Sequence, residues 1–252
     1  RIFIEPHKNG RWPMNTKTVE DLVQKQRDFF LSGQTRLIDF RLDALRKLRD
    51  ALKVHEKDIL AAVYADLRKA EVDAYATELA GVYNEIKVAI ANVRDWAARE
   101  KVTTPIFMMP AKSYIYKEPY GVCLIIAPWN YPVQLAMLPL VGAIAAGNTA
   151  IVKPSELASH SAAIVDKVLG ETFPEEYIRV VQGGVEETHA LLAQQLDYIF
   201  FTGSVPVGKV VMEAAAKNLT PLTLELGGKA LPLSTRALIC LPPPHASPGG
   251  NL

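Results

Sequence analysis

The chain has 252 residues, 49% of them hydrophobic, which is ample for the packed core of one large or two small domains. Its 28 basic and 27 acidic side chains are interspersed and leave a net charge of +1, so no basic field exists to attract nucleic-acid phosphates or an anionic membrane. Two cysteines, Cys123 and Cys240, cannot build a disulfide framework and stand in no cluster of metal-ligand spacing, so no metal site is expected and a reducing cytoplasm is the expected compartment.

The chain opens with Arg1 and is charged within its first ten residues at Glu5 and Lys8, without the apolar core of a signal peptide, so export is not expected. From 18 to 100 the sequence is charged, and apolar at helical spacing, as in Leu37, Phe40, Leu45, Leu48 and Leu52, then Ile59, Leu60, Val63 and Leu67. That spacing predicts three or four amphipathic helices. The stretch 101–121 reads as a connecting arm or edge hairpin, because Pro105, Pro110 and Pro119 break helices and Ser113 to Tyr116 has strand propensity. Between Glu118 and Lys153 no residue is charged, yet Pro128, Asn130, Pro132, Pro139, Gly147 and Asn148 cut the stretch into pieces too short to span a bilayer. Such pieces suit a parallel sheet buried on both faces.

Strand and helix then alternate through 122–229. Val122 to Ala127 predicts a strand, Val133 to Ala146 a helix ended by Gly147-Asn148, and Ala150 to Lys153 a second strand. Ser159 to Leu169 predicts a helix, Val180-Val181 a short strand, Glu186 to Gln194 a helix and Tyr198 to Phe201 a strand. Val207 to Lys217 predicts the next helix and Leu222 to Leu226 a last strand. Five strands separated by four helices imply right-handed parallel crossovers. The expected fold is α/β, a Rossmann-like doubly wound parallel sheet preceded by a helical segment and a β arm, with its ligand at the carboxyl ends of the strands. Within one nucleotide-binding unit over 18–229, residues 18–100 form the helical cover, 101–121 the arm and 122–229 the core. From Ala230 the composition collapses into a tail with Pro242, Pro243 and Pro244 in a row, and 230–252 is expected to be disordered.

Four strand ends carry polar or glycine-rich groups: Trp129-Asn130, Lys153-Pro-Ser155-Glu156, Gly203-Ser204, and Glu225 with Leu226, Gly227, Gly228 and Lys229. Each alone is explained as a turn former or helix cap; their convergence on one sheet edge points to a site. Gly203-Ser-Val-Pro-Val-Gly208 follows a strand and opens a helix, the setting in which free N–H groups and the helix dipole hold a dinucleotide pyrophosphate. With Lys209 it nearly matches a P-loop, but Val210 stands where a magnesium-binding hydroxyl is needed and Pro206 removes an N–H. No GxGxxG fingerprint is present. Lys153 and Glu156 can hydrogen-bond ribose hydroxyls, with a surface ion pair as the alternative, and a carboxylate disfavours a 2′-phosphate. Tyr83 and Lys87 form a YxxxK pair, read as a solvated helix face.

PWNYP at 128–132, KPSE at 153–156, FTGS at 201–204 with Gly208, and LELGGK at 224–229 resemble the aldehyde dehydrogenase superfamily, in order and with family-like intervals. The short arm before them most resembles the class 3 branch. The resemblance implies that Asn130 donates its amide to the oxyanion formed when a thiolate attacks an aldehyde, and that Glu225 is the general base for the thiol or the hydrolytic water. It implies that Lys153 and Glu156 hold the adenosine ribose and that Ser204 and neighbouring amides hold the pyrophosphate. Leu226-Gly227 would let the nicotinamide approach the backbone, and Trp129, Ser155, Gly203 and Gly208 complete the expected cofactor contacts. The cofactor is NAD, with NADP as the alternative, and hydride passes to it from a thiohemiacetal to leave a thioester for hydrolysis.

The resemblance also implies a nucleophilic cysteine further beyond the base than the 27 residues that come after Glu225. Cys240 lies in Leu-Ile-Cys-Leu-Pro-Pro, without the polar, glycine-flanked setting of that nucleophile, and Cys123, inside an apolar strand, is expected to be buried and unreactive. Departure from the family begins after Lys229, as a frameshift, an alternative splice end or a gene fragment would produce. The expectation is the cofactor-binding portion of an NAD(P)-dependent aldehyde dehydrogenase, catalytically incomplete alone and using an aldehyde substrate only if complemented. The alternative is a non-catalytic NAD-binding or interaction module. In either case a missing packing partner would leave apolar surface exposed, so association with itself or with a full-length relative is expected.

Overall fold

The helical segment forms because its leucines recur at helical spacing. The computed structural model describes residues 16–228, and Arg1, Glu5, Lys8, Lys229, Cys240 and the tail from Ala230 lie outside them. The chain begins with α1 (Thr16–Leu31), α2 (Ile38–Val54) and α3 (Glu56–Leu67). In α2 the side chains of Leu45, Leu48 and Leu52 are fully buried, each contributing roughly 1.5–3 kcal/mol of transfer free energy. Next, α4 (Glu71–Ala74) runs through a π-helical turn (Tyr75–Leu79) into α5 (Ala80–Trp96) without interruption. The described segment thus presents four helical bodies, the upper of the two expected numbers. The arm is an antiparallel ribbon of β1 (Glu100–Val102) and β2 (Ser113–Ile115), paired from Glu100↔Ile115 to Val102↔Ser113.

The core continues as β3 (Val122–Ile126), α6 (Gln134–Ala146), β4 (Thr149–Lys153), α7 (Ser159–Thr172), β5 (Ile178–Val180) and α8 (Val185–Leu192). It ends with β6 (Tyr198–Gly203), α9 (Val205–Ala216) and β7 (Leu222–Leu226). The sheet has the order β5-β4-β3-β6-β7, every described pairing being parallel. Strand order reverses direction between β3 and β6, the switch point at which an open parallel sheet leaves a crevice at its carboxyl edge. β3 and β4 are buried at every position, which is why they read as uninterrupted apolar runs. The uncharged α6 is part of this sheet's cover, and no helix among the described residues is long and apolar enough to cross a membrane.

Side-chain alternation along the strands divides the core. Ile125 and Val152 join α2, α3, α5, α6 and α7 in one cluster, while Leu124, Ile126, Ile199 and Phe201 join α1, α8 and α9 in another. At the end of α6, Gly147 adopts φ 90°, and the Gly147 and Asn148 amides both donate to the Ala143 carbonyl. The Asn148 side chain then accepts from the Gly121 amide, tying the helix end to the start of β3.

Most boundaries shift by one to three residues from the sequence reading, and two of the shifts have a visible cause. β5 lies at Ile178–Val180 rather than at Val180-Val181, because its register with β4 pairs Ala150 with Ile178. α9 begins at Val205 rather than Val207: Pro206 sits in its first turn, where a proline is compatible with the helix, so Gly208 is helical and not part of a loop.

Candidate functional site

Strand alternation leaves part of one sheet face open. Cys123 and Ile125 of β3 and Tyr198, Phe200 and Thr202 of β6 point to the same side, and α6 walls it with Leu135, Leu138 and Pro139. The result is a cleft of about 1030 Å³ that runs along these strands to their carboxyl ends. Trp129 and Asn130 after β3, Gly203 and Ser204 after β6, and Glu225, Leu226 and Gly227 at β7 all line it. Glu225 stands opposite Thr202 in the β6–β7 register, and the Gly227 amide donates to the Gly203 carbonyl at 3.3 Å, which closes the two strand ends together. Asn130 and Glu225 are both exposed.

Lys153, Ser155, Glu156 and Gly208 do not line this cleft. Lys153 ends β4 on the same sheet edge, opposite Ile126 in register, but its side chain is 3% exposed. Its ammonium donates to the Pro154 carbonyl at 2.8 Å and lies 3.6 Å from the half-exposed Glu156 carboxylate. The ion pair considered from sequence is thus present, with its carboxylate at the surface and its ammonium buried, and burial pushes the Lys153 ammonium below its ordinary pKa despite the attraction of Glu156. The Ser155 hydroxyl accepts from the Leu157 amide at 3.2 Å and shapes the turn. Gly208 is buried inside α9, where an added Cβ would meet the Leu226 side chain at 2.8 Å. Its smallness lets α9 close against β7.

Ser204 is the N-cap residue of α9, but its side chain makes no capping hydrogen bond. The amides at the start of α9 thus have no side-chain acceptor from the cap, and carry the positive end of the helix dipole.

Asn130 lies in a turn held from below by residues that sequence reasoning missed. Glu78, fully buried in the π-helical turn, accepts from the amides of Val133 and Gln134 at 3.1 Å each. Its other oxygen is 2.6 Å from the Lys69 ammonium, which also donates to the Asn130 carbonyl at 3.1 Å and sits 4.0 Å from the Tyr131 ring centroid. A signal existed: Ala74, Glu78, Val82 and Ile86 recur every fourth residue, so Glu78 occupies an otherwise apolar stripe. Thr202, too, was passed over inside its motif; its buried hydroxyl has no partner among the described residues.

Cys123 is buried in β3, and burial, aided by the charge of Asp197, pushes its thiol well above the ordinary range. This agrees with the expected unreactive thiol. Of the YxxxK pair, Lys87 is exposed, whereas Tyr83 is half-buried against the helical core and donates to Glu56 at 2.9 Å. The solvated-face reading is corrected for Tyr83, because α5 turns this ring toward α3.

A model of the aldehyde dehydrogenase family matches residues 13–233. The chain is 50% identical over 212 residues to 4,4'-diaponeurosporen-aldehyde dehydrogenase of Staphylococcus aureus, covering 84% of this chain and 46% of that protein. It is also 50% identical over 212 residues to aldehyde dehydrogenase family 3 member A2 of Macaca fascicularis, covering 84% and 44%. The chain thus spans about half the length of the curated relatives it matches. Its structure resembles the substrate-bound state of Staphylococcus aureus AldH with a TM-score of 0.83 at 50% identity, over 86% of this chain and 47% of the other. It likewise resembles Staphylococcus aureus betaine aldehyde dehydrogenase in complex with NAD+, with a TM-score of 0.77 at 29% identity, over 84% and 42%.

Proposed function

The chain belongs to the aldehyde dehydrogenase family, and from that premise we propose that it binds a nicotinamide dinucleotide along the carboxyl edge of its sheet. We propose further that it contributes the oxyanion donor and the general base for oxidation of an aldehyde to a carboxylic acid. The observation that carries this reading is the meeting of Asn130, Ser204, Glu225 and Leu226-Gly227 around one cleft at the switch point.

The residues fit a dinucleotide. Lys153, a buried ammonium at a strand end, has donor capacity to spare beyond the Pro154 carbonyl, and Glu156 beside it can accept from ribose hydroxyls. The amides at the start of α9 suit a pyrophosphate, and the unpartnered Thr202 hydroxyl and the exposed backbone at Gly227 border the cleft where a planar ring would enter. The match to an enzyme that holds NAD+ supports the same class of ligand. NAD is favoured over NADP because a 2′-phosphate would meet the Glu156 carboxylate, although a side chain that swings away would admit both.

When bound, the nicotinamide supplies the hydride acceptor for the oxidation. Asn130 lines the cleft, where its carboxamide would hydrogen-bond the oxygen that becomes negative when a nucleophile adds to the aldehyde carbon. Glu225, exposed on an edge strand, would take a proton from a thiol or a water and pass it to solvent. Cys123 does not serve as that thiol, being buried with its proton held tightly. We therefore assign the nucleophile to a position outside residues 16–228, and this half alone to cofactor binding without turnover.

The test is NADH formation by the 252-residue chain across a panel of aldehydes. No turnover is expected; robust turnover abolished by Cys240→Ala would overturn the assignment of an incomplete site.

A further inference from the structure

The turn that carries Asn130 is exposed, yet two anchors fix it. One is at residue 130 itself, where Lys69 donates to the backbone carbonyl; the other is three and four residues on, where Glu78 accepts from the Val133 and Gln134 amides. Val133, the N-cap residue of α6, makes no side-chain capping hydrogen bond, so Glu78 acts as a cap supplied from another helix, favourably placed at the positive end of α6. Lys69 and Glu78 hold each other at 2.6 Å, which makes the two anchors one body.

Stability alone does not account for this arrangement, since a buried ion pair contributes little that a well-packed apolar pair would not. What it supplies is a fixed geometry. The π-helical turn Tyr75–Leu79 contributes to it: one extra residue in a turn rotates the rest of the helix by about 100° relative to an uninterrupted α-helix, and so sets the angle between Glu78 and α5. α5 packs against α6, so the same turn that aims Glu78 also sets the helix whose N-terminus it caps.

We propose that Glu78 and Lys69 are positioning residues, which hold the 129–134 turn so that the Asn130 carboxamide faces the cleft, with the π-helical turn as the device that aims Glu78. The proposal rests on the oxyanion role assigned to Asn130. A purely structural cap would need Glu78 on the two amides and no link to residue 130; the Lys69 contact to the Asn130 carbonyl is what separates the two cases.

The test uses the 252-residue chain labelled with 15N. In Lys69→Met the Asn130 carboxamide and Trp129 indole signals are expected to move toward their positions in the urea-unfolded chain and to lose their heteronuclear NOE. NAD affinity should stay within about threefold of wild type, because the proposed ribose and pyrophosphate contacts are untouched. Lys69→Arg, which keeps a donor for both partners, should restore the wild-type signals. Glu78→Gln, with volume kept, should loosen the same two signals together with the Val133 and Gln134 amides. Wild-type Asn130 and Trp129 signals in both Lys69→Met and Glu78→Gln would overturn the proposal. Should Lys69→Met fail to fold, the Glu78→Gln spectrum decides. Failure of the oxyanion reading looks different: Asn130→Ala would leave aldehyde oxidation unchanged in the enzyme completed with its nucleophile, whatever these spectra show.

Discussion

Lys153 sits in an environment unlike an ordinary surface position, being almost wholly buried. A buried ammonium whose pKa burial depresses is costly to the fold, and its nearest carboxylate, Glu156, is half-exposed and reaches water without it. Lys153→Met removes the donor to the buried Pro154 carbonyl, a cost of about 1–3 kcal/mol that relief of the buried ammonium offsets, so the loss of unfolding free energy should stay below about 3 kcal/mol. The same substitution should weaken NAD more than about tenfold in a direct titration, since the proposed charge-assisted contact to the ligand would be lost. A large loss of stability with unchanged affinity would make Lys153 a structural residue. Lys153, Asn130 and Glu225 were legible in the sequence as strand-end positions: Lys153 ends β4, Glu225 stands one residue before the end of β7, and Asn130 follows β3, so strand geometry dictates the edge on which each emerges. Lys69 was not, because its partner carbonyl lies 61 residues further along the chain and only packing brings them together.

At the scale of elements, α7 shows how the helical cover is joined to the sheet. Asp66, at the end of α3, accepts from the amides of His160 and Ser161 in the first turn of α7 at 3.2 and 2.7 Å. Burial pushes this carboxyl up, but the hydrogen bonds from Ser161 and His160 outweigh it and hold Asp66 below the ordinary carboxylate range. A carboxyl whose folded pKa is depressed contributes stability that is present above its unfolded pKa and is lost as pH falls through the folded value. Asp66→Ala should thus cost about 1–2 kcal/mol near neutral pH, and the difference from wild type should shrink as acid protonates Asp66 in both states. Urea unfolding at a series of pH values measures this; a penalty that persists below the folded pKa would contradict it. The strands β3, β4 and β6 were legible because burial on both faces leaves apolar runs, and α6 because Gly147-Asn148 marks its end. The start of α9 was misread, since glycines at 203 and 208 look like a loop until packing against Leu226 explains the second one.

At the scale of the molecule, the two faces of one parallel sheet organise the two apolar clusters, and the part of one face left open becomes the cleft. The doubly wound plan was readable from the alternation of strand and helix, whereas the open face was not, because it depends on which helices cover which strands. The chain belongs to the aldehyde dehydrogenase family and spans about half the length of its curated relatives, and the proposal gives it the binding of the dinucleotide and two of the groups that assist the chemistry. Calorimetric titration of the 252-residue chain with NAD tests that assignment most directly. Saturable binding that Lys153→Met weakens is the expected result; no heat at millimolar NAD or NADP would contradict it.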